Sequence, residues 1–137
     1  MSTEANKALV RRLIEGINTG DLALLEETVA PDYLNHHPAP GQRPGLDGLK
    51  ELVTASRKAF PDLTYTIEEM VAEQDKVAVR ITWRGTHRGE FAGIAPTGRT
   101  VTVSALELLH IKDGKIIENW SHHDILALMQ QLGALPS

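Results

Sequence analysis

The chain contains no cysteine. Disulfide bonds, thiol nucleophiles and thiolate metal ligands are therefore excluded. Aromatic side chains are scarce, two each of Phe, Trp and Tyr in 137 residues. The core has to be aliphatic, and a row of base-stacking rings is not available. Lys and Arg never gather into a run, and the formal net charge is −4. The basic stripe through which proteins hold nucleic acid is missing. No apolar stretch approaches the roughly 18 residues of a membrane span. The first residues lack the basic start and apolar run of a secretory signal. These absences predict a cytoplasmic protein that takes neither nucleic acid nor membrane as a partner. The length, with 42% hydrophobic and 23% charged residues, predicts one globular domain over 1–137.

What is present divides into helices and then strands. Leu9, Val10, Leu13, Ile14 and Ile17 recur at helical spacing, with Ser2 or Thr3 as the N-cap and Gly20 at the end. Asp21 can cap a short second helix carrying Leu22, Leu24, Leu25 and Val29, which Pro31 stops. An extended piece over 33–36 leads into a loop broken by Pro38, Pro40, Gly41, Pro44 and Gly45. Leu46, Leu49, Leu52 and Val53 mark a third helix that ends before Phe60. Leu63, Tyr65 and Ile67 alternate with polar residues, and so do Val77, Val79, Ile81 and Trp83. A long strand covers 100–111, where the run 105–109 breaks alternation and predicts a bulge or burial on both faces. A turn at 112–115 leads to a strand over 115–124 and a closing helix over 125–132. Helices followed by hairpin-connected strands predict an α+β fold. The expected shape is a strongly curved antiparallel sheet wrapped around the N-terminal helices, leaving a hollow between them.

The candidate chemistry lies on the last strand. Side chains alternate along a strand, so Ile116, Glu118, Trp120, His122 and Asp124 would share one face. Apolar residues mixed with His and carboxylates suit a small-molecule pocket, and a carboxylate among apolar neighbours becomes a general base. Asp124 also stands directly before Ile125 and Leu126, so it can equally be the N-cap of the closing helix. His36, His87, His110, His122 and Asp124 could supply metal ligands, but no pair has ligating spacing, so no metal is expected. No phosphate-binding glycine loop is present. Two registers of the last hairpin remain open. A two-residue loop, Asp113-Gly114, pairs Lys112 with Lys115 and sets His110 on the face away from Asp124. A three-residue loop, with Gly114 left-handed, sets His110 on the Asp124 face.

Asp113-Gly114-Lys115-Ile116-Ile117-Glu118-Asn119-Trp120, Asp124 and Gln131-Leu132-Gly133 resemble the SnoaL-like polyketide cyclases and their ester cyclase relatives. So do Phe60-Pro61-Asp62, Gly85-Thr86-His87-Arg88-Gly89 and Pro96-Thr97-Gly98. The resemblance runs from about Asn6 to Leu135. It implies the nuclear-transport-factor-2-like fold, a cystatin-like α+β barrel whose cone of antiparallel sheet is closed by helices and which is usually a dimer through the sheet. It further implies a cofactor-free aldol cyclase in which Asp124 is the acid/base and His110, fourteen residues earlier, assists. The three-residue loop is then favoured.

The resulting expectation is a cyclase of the lyase or isomerase class that needs no cofactor and closes a ring by intramolecular aldol addition. Asp124 would take a proton from carbon next to a carbonyl, and His110 or His122 would hydrogen-bond the enolate oxygen. His36, Phe60, Trp83, Leu106, Glu118, Trp120 and His122 are the expected substrate-lining residues. The substrate would be a small hydrophobic carbonyl compound, and the apolar outer sheet face around 105–109 would be buried in a homodimer. Two alternatives stand beside this one. The first is an epoxide hydrolase- or isomerase-like enzyme using Glu118 as a second carboxylate. The second is a binding protein without turnover.

Overall fold

The computed structural model describes residues 2–135. The expected domain of 1–137 reaches Met1, Pro136 and Ser137, which lie outside the described residues. Helix α1 spans Thr3–Thr19, α2 Leu22–Thr28, α3 Gly45–Ala59 and α4 Ile125–Gln131. Strands are β1 Val29–Asn35, β2 Thr64–Glu73, β3 Lys76–Thr86, β4 Thr100–Lys112 and β5 Lys115–His123. They form one sheet in the order β1-β5-β4-β3-β2.

Local chemistry accounts for the helix ends. The Ser2 hydroxyl accepts from the Ala5 N–H at 3.0 Å, and Gly20 closes α1 at φ 70°. Asp21 caps α2 through the Ala23 N–H at 3.0 Å. Lys115 donates to the carbonyls of Glu26 and Glu27 at 2.9 and 2.7 Å, covering the last turn of α2. That helix ends at Thr28 rather than at Pro31. Pro31 sits inside β1, an edge strand, where its missing N–H breaks no ladder. β1 runs parallel to β5, against the expectation of an all-antiparallel sheet, and residues 30–33 bulge out between its two paired stretches.

β2, β3, β4 and β5 pair antiparallel. Along β4 the inner face carries Val101, Val103, Ala105, Glu107, Leu109 and Ile111, and every one but Glu107 is buried and apolar. β3 adds Val77, Val79, Ile81 and Trp83 to the same side. Val10, Leu13 and Ile14 of α1 and Leu46, Leu49 and Val53 of α3 pack into this concave face as one cluster. A second cluster at the other end joins Phe60, Leu63, Trp83, Val101 and Val103 to Leu128 and Leu132 of the α4 region. Each fully buried aliphatic side chain contributes about 1.5–3 kcal/mol. Gly85 is required here, because a Cβ at that position would lie 2.8 Å from the Phe60 Cβ.

The last hairpin decides which face each candidate residue occupies. Lys112 pairs directly with Lys115, and Asp113 and Gly114 both have positive φ, 51° and 74°. This is the two-residue primed turn, not the three-residue loop that the family resemblance favoured. Ile111 pairs with Ile116, yet His110 pairs with Glu118. Ile117 is therefore an extra residue, a β-bulge that reverses the facing of everything after it. β4 itself runs straight through 105–109 without a break in its pairing to β3; the bulge lies on its neighbour.

Candidate active site

Because of that bulge, Asn119, Ser121 and His123 face inward, while Glu118, Trp120 and His122 face outward. Ser121 stands directly across the ladder from Glu107. His123 is the diagonal neighbour of Glu107, with a backbone separation of about 7–8 Å. Tyr33 enters the same space from β1, and Tyr65 from β2. The backbone of Tyr65 is held by Asn18 of α1, whose amide accepts from the Tyr65 N–H at 2.7 Å and donates to the Tyr65 carbonyl at 3.0 Å.

Glu107 is the one carboxyl on the concave face of β4. Its Oε1 accepts from Asn119 Nδ2 at 2.7 Å. Its Oε2 has no protein partner and is not sealed from solvent. Burial pushes its pKa up, and the Asn119 hydrogen bond opposes that rise only in part. No Lys or Arg acts on it. Burial raises Tyr33 to about 12; a hydrogen bond from Asn119 pulls it down, and the neighbouring Glu107 charge pushes it up. Tyr65 is raised by burial first and then by Glu107. Both hydroxyls keep their protons through the physiological range.

His123 supplies a donor. Trp83 Nε1 donates to His123 Nδ1 at 3.0 Å. An indole nitrogen can only donate, so Nδ1 is unprotonated and the neutral ring carries its hydrogen on Nε2. Burial, and then His122, lower the pKa of His123 and keep the ring neutral. Nε2 has no protein partner and is not sealed from solvent. Ala105, directly across from His123 and between it and Ile81, leaves the room through which the Trp83 ring reaches. The Tyr65 ring lies 6.4 Å from Trp83 and 6.5 Å from His123. The concave face thus sets one acid/base group and one neutral N–H donor among apolar and aromatic side chains, a composition suited to proton transfer on a small molecule.

A family model for SnoaL-like polyketide cyclases matches residues 7–132. The chain belongs to the SnoaL-like polyketide cyclase family. Among its relatives is aklanonic acid methyl ester cyclase AcmA of Streptomyces galilaeus, 34% identical over 92% of this chain and 89% of that one. Nogalonic acid methyl ester cyclase of Streptomyces nogalater is 30% identical over 88% and 92%. The structure of TsrD from Streptomyces laurentii superposes with a TM-score of 0.91 at 29% identity, covering 98% of this chain and 99% of that one. The chain is an enzyme of the SnoaL-like cyclase type, and the curved α+β fold expected from its sequence is the fold of this family.

Within the family fold, the residues singled out from sequence do not converge. Asp124 is exposed and caps α4, its Oδ1 accepting from the Ala127 N–H at 3.0 Å. Its own N–H bonds the Ser104 carbonyl, six residues along β4 from His110. At roughly 3.3 Å per residue the two positions are about 20 Å apart, so they cannot serve one reacting centre. His110 lies on the outer face. Its Nδ1 bonds Glu118 at 2.8 Å and its Nε2 bonds Asp75 at 2.7 Å. Glu118 also bonds His36 Nε2 at 2.9 Å, and the His36 ring stacks on Trp120 with centroids 4.4 Å apart. His122 is exposed beside His37, and Leu106 is 57% exposed. Glu118, and to a lesser extent Asp75, raise the His110 pKa, while His110 lowers both carboxyls.

Trp83 is the expected lining residue that does turn to the concave face and reach His123, and Phe60 is packed solid in the second core cluster against Trp83, His87 and Phe91. Glu107, Asn119, His123, Tyr33 and Tyr65 were not singled out. One signal for them was in the sequence. Val101, Val103, Ala105, Leu109 and Ile111 recur in one phase with Glu107 as the one carboxyl among them, although Leu106 and Leu108 blur the alternation.

Proposed function

We propose that this SnoaL-like enzyme closes a ring in a small polycarbonyl substrate by intramolecular aldol addition, with Glu107 as the acid/base. Glu107 removes a proton from carbon flanked by carbonyls, and His123 Nε2–H hydrogen-bonds the enolate oxygen that forms. The enolate carbon bonds to a second carbonyl carbon of the same molecule. The new alkoxide then takes the proton back from Glu107. No atom leaves, so product and substrate are isomers, the carboxylate is regenerated, and the step needs no cofactor. The observation that carries this reading is a carboxyl held on an apolar concave face with no cation beside it. Such a group titrates nearer neutrality than an exposed Glu, where a general base works best.

Two relatives named as methyl ester cyclases point to esters of polycarbonyl acids as the substrate class. A hollow whose only charged group is a carboxylate favours a neutral ester over a free acid. The test is incubation with a panel of polycarbonyl methyl esters, aklanonic acid methyl ester included, followed by mass-neutral conversion to a cyclised product. Conversion by the wild type that persists unchanged in Glu107→Gln removes Glu107 from the mechanism. Epoxide hydrolysis would need a second carboxylate and an Arg about a water, and Glu118 is on the outer face. Substrate that binds with no conversion under any condition of the panel would favour the binding-protein alternative.

The assembly expected from sequence remains a proposal. The outer face exposes Val71 at 63% and Leu106 at 57%, beside an open groove of about 380 Å³ lined in part by Ala78 and Leu108. A second copy pairing across this face would cover them.

A further inference from the structure

Asn119 has a part beyond packing. It sits on β5, 7% exposed, with Nδ2 on Glu107 Oε1 at 2.7 Å. Its other amide atom, Oδ1, is buried with no hydrogen-bond partner. A buried amide oxygen left unsatisfied costs about 1–3 kcal/mol, so such an arrangement asks for a reason. The backbone carbonyl of Asn119 is already used by the His36 N–H, so it offers the side chain no partner.

The reason lies in what Glu107 has to do. If Glu107 is the acid/base proposed above, on which this inference rests, it alternates between a carboxylate, which only accepts, and a carboxylic acid, which must donate. The present orientation of Asn119 serves the carboxylate. A half-turn about the Cβ–Cγ bond would bring Oδ1 to the place of Nδ2, where it would accept the Glu107 O–H. One half of the amide is unsatisfied in either orientation. The penalty is therefore similar in both, and the amide does not lock Glu107 in one protonation state. Two fixed N–H donors would lock it as the carboxylate, and apolar neighbours alone would lock it as the acid.

We propose that Asn119 is a positioning residue that sets the protonation balance of Glu107, its amide turning over as the proton arrives and leaves. The other titratable groups that face this site are Tyr33 from β1, Tyr65 from β2 and His123 from β5. β3, α1 and α3 present apolar side chains to it. Both tyrosines are held protonated, which leaves His123 as the one group whose titration could be confused with that of Glu107.

The test follows the full-length wild-type protein by NMR, without substrate. The Glu107 carboxyl carbon, the Asn119 side-chain NH2 and the His123 ring are titrated in the same samples. The Asn119 NH2 signals should move with the Glu107 midpoint and not with that of His123. In Asn119→Leu the Glu107 midpoint should rise by about one pH unit, since the bonds to both forms are lost and the one to the charged form is the stronger. The acid limb of kcat/KM should rise with it. Asn119 signals that stay still through the Glu107 titration in the wild type overturn the proposal, and that measurement needs no variant to fold. An unchanged midpoint in a folded Asn119→Leu overturns it as well. Neither result touches the assignment of Glu107 as acid/base, which stands or falls on turnover by Glu107→Gln.

Discussion

Replacing Glu107 by Gln keeps the shape of the side chain and its hydrogen-bonding capacity while removing the charge and the basicity. Two consequences separate, and both follow from a half-buried carboxyl held among apolar residues without a cation. Turnover should fall by about 10²–10⁴, the usual contribution of a positioned general base. Stability should move the other way. The folded-state pKa of Glu107 lies above its unfolded value, which is about 4.3. Its protonated form therefore favours folding: the contribution is fully present below pH about 4.3 and is lost as pH rises through the folded pKa. Each pH unit between those limits removes about 1.4 kcal/mol. Above the folded pKa the loss is complete and levels off. Glu107→Gln has no proton to lose. Its stability relative to wild type should start near zero at pH 4, grow through the window, and plateau. Urea denaturation of both proteins at intervals from pH 4 to 9, together with turnover at each pH, measures both effects. A difference in stability that does not vary with pH would show that Glu107 is not buried as a carboxylate in the folded state. A variant that is still fully active would refute its catalytic assignment.

Five further outcomes are expected. Asp124→Asn should leave activity and stability nearly unchanged, since Asn caps a helix about as well as Asp, whereas Asp124→Ala should cost about 1 kcal/mol in denaturant titration and still turn over substrate. The Asp75–His110–Glu118 cluster should stabilise the fold in a pH window. The lowered carboxyls lose their contribution as pH falls below about 4, and the raised His110 loses its own as pH rises through a folded pKa above 6.5. His110→Gln should flatten that profile, seen as melting temperature against pH, without altering kcat. His123→Phe should lower kcat by about 10²–10³ through loss of the enolate donor. Trp83→Phe should lower it less, while the nitrogen chemical shifts of His123 show a mixture of ring tautomers. Light scattering at micromolar concentration should give about twice the 15.0 kDa of one chain.

Much of the fold was legible because it rests on local rules. The helix ends at Ser2, Gly20 and Asp21 are hydrogen-bonding preferences of single residues, and the structure uses each one. The strands showed in two-residue alternation and the site of the last hairpin in its Asp-Gly pair, while the length of that loop, two residues with positive φ at both Asp113 and Gly114, came from the structure. Family membership was legible as well, because short motifs in fixed order survive where overall identity is near a third. The site was only half legible. Glu107 stood in phase in an otherwise apolar series, but on a strand whose inner face could not be known in advance.

What the sequence by itself determined was the set of elements, their order, the place of a turn between β4 and β5 but not its length, and the presence of one carboxyl among six alternating positions of β4. What only the tertiary structure decided was the facing. A strand repeats every two residues, so one inserted residue exchanges inside for outside, and Ile117 is that residue. The series Glu118, Trp120 and His122 moved to the outer face, and Asn119, Ser121 and His123 moved in. At the bulge β5 is paired on both sides, in parallel to β1, far away in sequence, and to its hairpin neighbour β4. Asp124 and His110 are separated along the hairpin instead, since Asp124 meets β4 at Ser104, six residues from His110. Fourteen residues along the chain translate into six along a neighbouring strand only when the register is known, and register is a property of two strands together, not of either one.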